Sequence, residues 1–156
     1  MRRTSFEDMH CSIAQALELV GEWWTLLVVR DLLMGVSRFD ALQERLGISR
    51  NILTDRLRTL EDAGIVERHP YQHRPERFDY RLTEKGRDLW LVVNAMREWG
   101  DRWAAPNGPP VEMVHRRCGH VTSAVPACSA CGETLEYRDL RMVEGPGGGS
   151  LPVRTA

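Results

Sequence analysis

Residues 37–64, "SRFDALQERLGISRNILTDRLRTLEDAG", split their apolar positions between two short stretches separated by a glycine, and this limits the fold more than any other feature. In the first stretch Phe39, Leu42 and Leu46 recur at spacings of three and four, with Ser37 expected as the cap and Gly47 as the stop. In the second, Ser49 is a natural cap, and Leu53, Leu57 and Leu60 fall on one face. Helices this short hold only when packed on something else. Two of them across a glycine turn make a helix-turn-helix candidate.

The flanks supply the packing. Ile13, Ala14, Leu17 and Val20 lie at helical spacing before Gly21, and "WWTLLVVRDLLMG" is apolar almost all round, as in a buried central helix. Downstream, "IVERHPY" and "RFDYRLT" read as strands around the tip "QHRPE", the second alternating Phe78, Tyr80 and Leu82 against Asp79 and Arg81. A hairpin in that place is a wing. Thr83 then caps one long helix, "EKGRDLWLVVNAMREWGDRWAA", with Leu89, Val92 or Val93, Met96, Trp99 and Trp103 in a stripe larger than a small domain needs. The expected fold is mainly α with a small β-wing: a winged helix-turn-helix with a long terminal dimerisation helix, plus a small zinc-ribbon-like C-terminal unit. The divisions are 1–106, 111–143 and a disordered tail at 144–156, with "PNGPPVE" as linker and "EGPGGGSLPVRTA" as tail.

Setting the three leucines inward turns Asn51, Thr54, Asp55 and Arg58 outward, with Arg50 at the amino-terminal turn. Asparagine, threonine and arginine are side chains that reach base edges. Ser49 with its helix terminus, and Ser37 with Arg38, offer donors to phosphate, while His73, Arg74 and Arg77 at the wing tip suit the backbone or a minor groove. The alternative for each charge taken alone is a solvated face. A net charge of −1 excludes a generally basic nucleic-acid coat but not a local patch, and of 21 basic residues only Lys85 is a lysine. No apolar run reaches the roughly 18 residues of a membrane span. With no signal-peptide pattern at the start, the expected location is the cytoplasm, without membrane attachment.

In that compartment clustered thiols bind metal or sense oxidants more often than they form disulfides. "HRRCG" and "CSACG" each place two metal-ligand types across a two-residue gap before a glycine. His115, Cys118, Cys128 and Cys131 are thus the expected ligands of one structural Zn2+, since four ligands complete a tetrahedron and leave no place for water. His120 is a rival ligand that breaks the repeat. A Cys128–Cys131 redox pair and unliganded thiols are the other readings.

The segments from "CSIAQALELVGEWWTLLVVRDLLMGVSRFDAL" through "ISRNILTDRLRTLEDAGIVER" to "YRLTEKG" resemble the HxlR-type winged helix-turn-helix transcriptional regulators of prokaryotes. The likeness covers residues 10 to about 103 and rests on Cys11, Gly21, Trp24, Arg38-Phe39, Ile48-Ser49, Leu53, Arg56-Leu57, Leu60, Gly64, Arg68, Pro75, Arg77, Tyr80 and Leu82-Thr83. It implies a homodimer on a pseudo-palindromic double-stranded DNA operator, acting as a repressor rather than an enzyme. Its first and last helices form the interface, here through Leu89, Val93, Met96, Trp99 and Trp103. The implied DNA-binding set is Ser37, Arg38, Ser49, Arg50, Asn51, Thr54, Arg56, Arg58, His73, Arg74 and Arg77. The resemblance also offers Cys11 as an oxidant or effector site, although Ser12 stands where the family often has proline. A small molecule or an oxidant is the effector class. The competing function is a protein-interaction module, built of ribbon and winged helix, that does not bind DNA.

Overall fold

A computed structural model describes residues 5–148. Four helices come first: α1 (Ser12–Val20), α2 (Thr25–Leu33), α3 (Phe39–Leu46) and α4 (Arg50–Asp62). Strands β1 (Val66–His73) and β2 (Glu76–Leu82) form an antiparallel pair, followed by α5 (Glu84–Asp88), α6 (Trp90–Trp103) and a 3-10 turn at Tyr137–Asp139. The chain divides into two compact units after Arg97, inside α6 and ahead of the Pro/Gly linker that marked the expected boundary. The tail reading for 149–156 lies outside the described residues.

The first unit is organised around α2. Val28 and Val29 are fully buried, and Leu42 of α3, Leu53, Leu57 and Leu60 of α4, and Ile65 close over them. The three-and-four spacing of the α4 leucines therefore delivers the inward face it predicts. The Ser49 hydroxyl accepts the Ile52 amide at 3.3 Å, capping α4, and Gly47 ends α3 at φ 64°, a left-handed turn that glycine adopts without strain. Among the described residues one charge lies inside: Asp31 of α2 is fully buried. It accepts from Arg30 at 2.9 Å and from Arg45 of α3 at 3.4 Å, so an ion pair fastens α3 to the central helix.

Two local readings are corrected. Ser37 does not cap α3; Arg38 holds the cap position without a side-chain bond, while the Ser37 hydroxyl donates to the Asp79 carboxylate at 3.0 Å. A carboxylate brought in by β2 is a stronger acceptor for that hydroxyl than the local alternatives, and the Tyr80 amide adds a bond to the Ser37 carbonyl at 2.7 Å. Nor is the helix after Thr83 continuous. It breaks at Leu89, whose amide makes a bond three residues back to Gly86 at 3.3 Å.

The break follows from how α5 is tied down. The Thr83 hydroxyl donates to the Gly64 carbonyl at 2.7 Å and accepts the Gly86 amide at 3.1 Å, and Lys85 donates to the Ala63 carbonyl at 2.7 Å. This seats Gly86 against the Ile65 carbonyl so closely that a Cβ there would collide with the oxygen. Gly86→Ala is therefore expected to destabilise the protein by about 1–3 kcal/mol, read as a lower melting temperature. An unchanged melting temperature would mean that α5 can lift from Ile65 at no cost.

The second unit has little regular structure. Its cysteine segment contains two isolated bridges, Val114 with Val121 and Ala127 with Thr134. Val114, Val121, Val125, Tyr137 and Leu140 are all exposed, so the segment lacks an apolar core of its own among the described residues.

Candidate nucleic-acid interface and cysteine segment

The amino-terminal part of α4 is presented beside the wing. A groove of about 400 Å³ lies between α3, α4 and the hairpin, and it brings together Arg38, Arg50, Thr54 and Arg77. Aromatic rings fix several of its cations. Arg38 stacks on Tyr71 at 4.9 Å and Arg50 on Phe39 at 4.7 Å, while Arg68 lies over Phe78 at 4.9 Å. Tyr71 reaches Arg38 from an irregularity in β1, where the pairing register shifts between Pro70 and Gln72. Arg38 also forms a bridge with Asp79, so the segment before α3 is fastened to the wing. Burial raises the Tyr80 phenol above its ordinary pKa, with Glu61 adding to the rise and Arg68 and Arg50 opposing it.

Asn51, Thr54 and Arg58 are exposed on the outer face of α4 as their spacing predicts. The Thr54 hydroxyl donates to the Arg50 carbonyl at 2.8 Å, and Arg58 lies 3.9 Å from Asp62, an exposed pair one turn on. His73, Arg74 and Arg77 are exposed on the hairpin, whose tip is tighter than "QHRPE" because both strands run on until His73 pairs with Glu76. Arg56 is different. It is turned towards the start of the fold and pairs with Glu22 at 3.5 Å, so it braces α4 instead of facing outward. Ser37 is likewise committed to Asp79. Tyr71, Phe39 and Asp79 are the contributors that the sequence reading missed. An aromatic residue near each arginine was visible, but only the fold shows which ring lies under which guanidinium.

The apolar stripe of residues 89–103 divides. Leu89 and Val93 pack against the core of the first unit, which also decides between Val92 and Val93. Met96, Trp99 and Trp103 are exposed, the two tryptophans at 65% each. α1 shows Ile13 at 72%, and Trp23 just beyond it is 89% exposed. Cys11 is half-buried at the amino-terminal cap position of α1 and makes no side-chain cap bond.

In the cysteine segment the expected ligands meet in pairs. His115 Nδ1 is 3.1 Å from the Cys118 sulfur. The amides of Cys131 and Ala130 donate to the Cys128 sulfur and, with the Cys131 side chain, lower the Cys128 thiol pKa below its ordinary value. Among the described residues, no three potential ligands form one metal-binding group.

Two short helices joined by a glycine turn, the second capped and outward-facing beside a two-stranded hairpin, define a winged helix-turn-helix protein of the DNA-binding class. The HxlR-like helix-turn-helix model matches residues 19–108, and the chain belongs to that family. Rv3095 of Mycobacterium tuberculosis, described as an uncharacterised HTH-type transcriptional regulator, is 44% identical over 137 residues, 87% of each chain. The likeness therefore runs past the wing into the cysteine segment. The crystal structure of PA1607, a proposed transcription factor, is similar with a TM-score of 0.80 and 34% identity over 91% of this chain and all of that one. The redox regulator HypR in its oxidised form is similar over 59% of this chain and 96% of its own, with a TM-score of 0.55 and 34% identity. The family and these names point to a DNA-binding transcriptional regulator rather than an enzyme. Among the described residues no single helix is long and apolar enough to cross a membrane.

Proposed function

We propose that the chain acts as a homodimeric repressor, with α4 of each copy in successive major grooves of a pseudo-palindromic operator and the wing on the adjoining backbone or minor groove. The observation that carries this reading is the groove that gathers Arg38, Arg50, Thr54 and Arg77 beside the exposed Asn51 and Arg58. Two-fold pairing through α1 and α6 gives their exposed aromatic and aliphatic residues a partner, and two half-sites about one helical turn apart follow from such pairing.

The test is a mobility-shift titration on the gene's own upstream region across a salt series. Asn51→Ala and Arg58→Ala are expected to relax base preference by about 1–3 kcal/mol at the contacted position. Arg77→Ala is expected to weaken all sequences alike and to reduce the salt slope by about one. Unchanged affinity in both Arg58→Ala and Arg77→Ala overturns this docking, and no shift with any upstream fragment favours a protein-interaction role.

A second reading, thiol control through Cys11, is supported by the position of Cys11 at the start of α1 and by the likeness to HypR. Oxidant-sensitive DNA binding in the wild type that is lost in Cys11→Ser supports it; equal sensitivity in both removes it.

A further inference from the structure

The two halves of the cysteine segment share one backbone plan. The His115 amide donates to the His120 carbonyl at 3.0 Å, and the Cys128 amide donates to the Glu133 carbonyl at 2.8 Å. Gly119 donates back to His115 at 2.8 Å, as Gly132 does to Cys128 at 2.8 Å. Thr122 donates to Met113 at 2.8 Å, and Leu135 to Pro126 at 3.0 Å. The bridges Val114–Val121 and Ala127–Thr134 stand in the same register, and Gly119 at φ 74° and Gly132 at φ 79° make the same left-handed turn. This correspondence equates His115 with Cys128, Cys118 with Cys131, and His120 with Glu133.

We propose that a single tetrahedral zinc joins these two like half-sites, with His115 Nδ1 and the sulfurs of Cys118, Cys128 and Cys131 as ligands; among the described residues no three of these donors share one group, so binding the metal must bring the two pairs together. Each half already sets its pair of donors. Nitrogen and sulfur ligands at about 2.1 and 2.3 Å from a tetrahedral zinc lie about 3.6 Å apart, so the 3.1 Å between His115 Nδ1 and Cys118 needs only a small opening. In the second half, two backbone amides already point at the Cys128 sulfur, the arrangement that holds a metal-bound thiolate. The metal's part is to join two preformed pairs. Three thiolates and one imidazole around Zn2+ carry a net charge of −1, and Arg116 and Arg117 lie between the first two ligands to offset it. His120 has no place in this plan, because its counterpart Glu133 follows the second ligand instead of being one.

A structural metal also answers a stability problem. The valines, Tyr137 and Leu140 of this segment are exposed, so its order must come from a source other than a core, and cross-linking by metal is such a source. The closed ligand set leaves no position for substrate, which makes the site a staple and not a reaction centre.

The test uses the full chain purified under reducing conditions without chelator. About one zinc per chain is expected, and Co2+ substitution should give the visible bands of a tetrahedral ion with thiolate charge transfer. Cys128→Ser and Cys131→Ser should each lose the metal. His115→Ala should weaken zinc binding by at least about tenfold, while His120→Ala leaves it unchanged. His115→Cys, which makes the two halves alike, should retain the metal and increase the thiolate charge-transfer absorption. That variant keeps the test decisive if the others unfold the segment. A metal-free wild type, stoichiometric zinc in Cys128→Ser, or a loss in His120→Ala with none in His115→Ala overturns the assignment.

Discussion

On the proposed homodimeric docking, Trp99→Glu should convert dimer to monomer in sedimentation and weaken the operator complex by about 10²–10⁴-fold, the factor lost when two linked contacts become separate ones. The expectation rests on Trp99 and Trp103, large rings at 65% exposure on α6 beside an exposed Met96. Burying such a surface against a second copy is favourable, and a carboxylate at its centre would lose its hydration without gaining a partner. The fold of the first unit is expected to survive, because its inward-facing residues from this region are Leu89 and Val93. A wild type that sediments as a monomer at micromolar concentration, or a Trp99→Glu dimer with full DNA affinity, removes this interface.

The second large effect concerns Asp31. Removing both Arg30 and Arg45 leaves a fully buried carboxylate without its two ion-pair partners; because the arginines are themselves 42% and 50% exposed, the cost falls below the figure of about 3–5 kcal/mol for breaking a pair buried on both sides. For a domain of this size each kcal/mol lowers the melting temperature by about 4–8 °C, so Arg30→Ala with Arg45→Ala should show a drop well beyond that of either single change. Adding Asp31→Asn to the double variant should recover part of the loss, since the neutral side chain has less to lose in leaving water. Equal melting temperatures for wild type and double variant would show that Asp31 has another source of compensation. Because Arg45 belongs to α3, DNA affinity should fall with stability in the double variant.

Both predictions turn on features that the sequence showed unevenly. The α4 leucines, the Ser49 cap and the Gly47 turn were legible because cause and effect lie within one or two helical turns. Ser37 was misread because its partner, Asp79, is 42 residues away and reaches it only once β2 has folded. Arg56 presents the same difficulty: its spacing places it at the flank of α4, and only tertiary structure brings Glu22 within 3.5 Å. The helix after Thr83 looked continuous because its apolar period persists across Leu89. The interruption comes from Gly86 seating on Ile65, which no local pattern records. Asp31 was visible within an apolar helix, but its burial depends on two arginines, one of them from α3. The knuckle spacing was readable, whereas the equivalence of the two backbone frames required the structure.

The arginine-on-aromatic pairs have a consequence for the thermodynamics of recognition. A free arginine side chain carries about 2 kcal/mol of rotamer entropy, much of which is lost when it is pinned to a phosphate or a base. Arg38 on Tyr71 and Arg50 on Phe39 have given up part of that freedom before any DNA arrives. On the proposed docking, part of the ordering cost is thus met during folding, by the same aromatic packing that joins wing to helix, and less of it remains to oppose association. Two proteins with equal charge on this face can therefore differ in affinity at every salt concentration, according to how firmly the rings hold those charges in place.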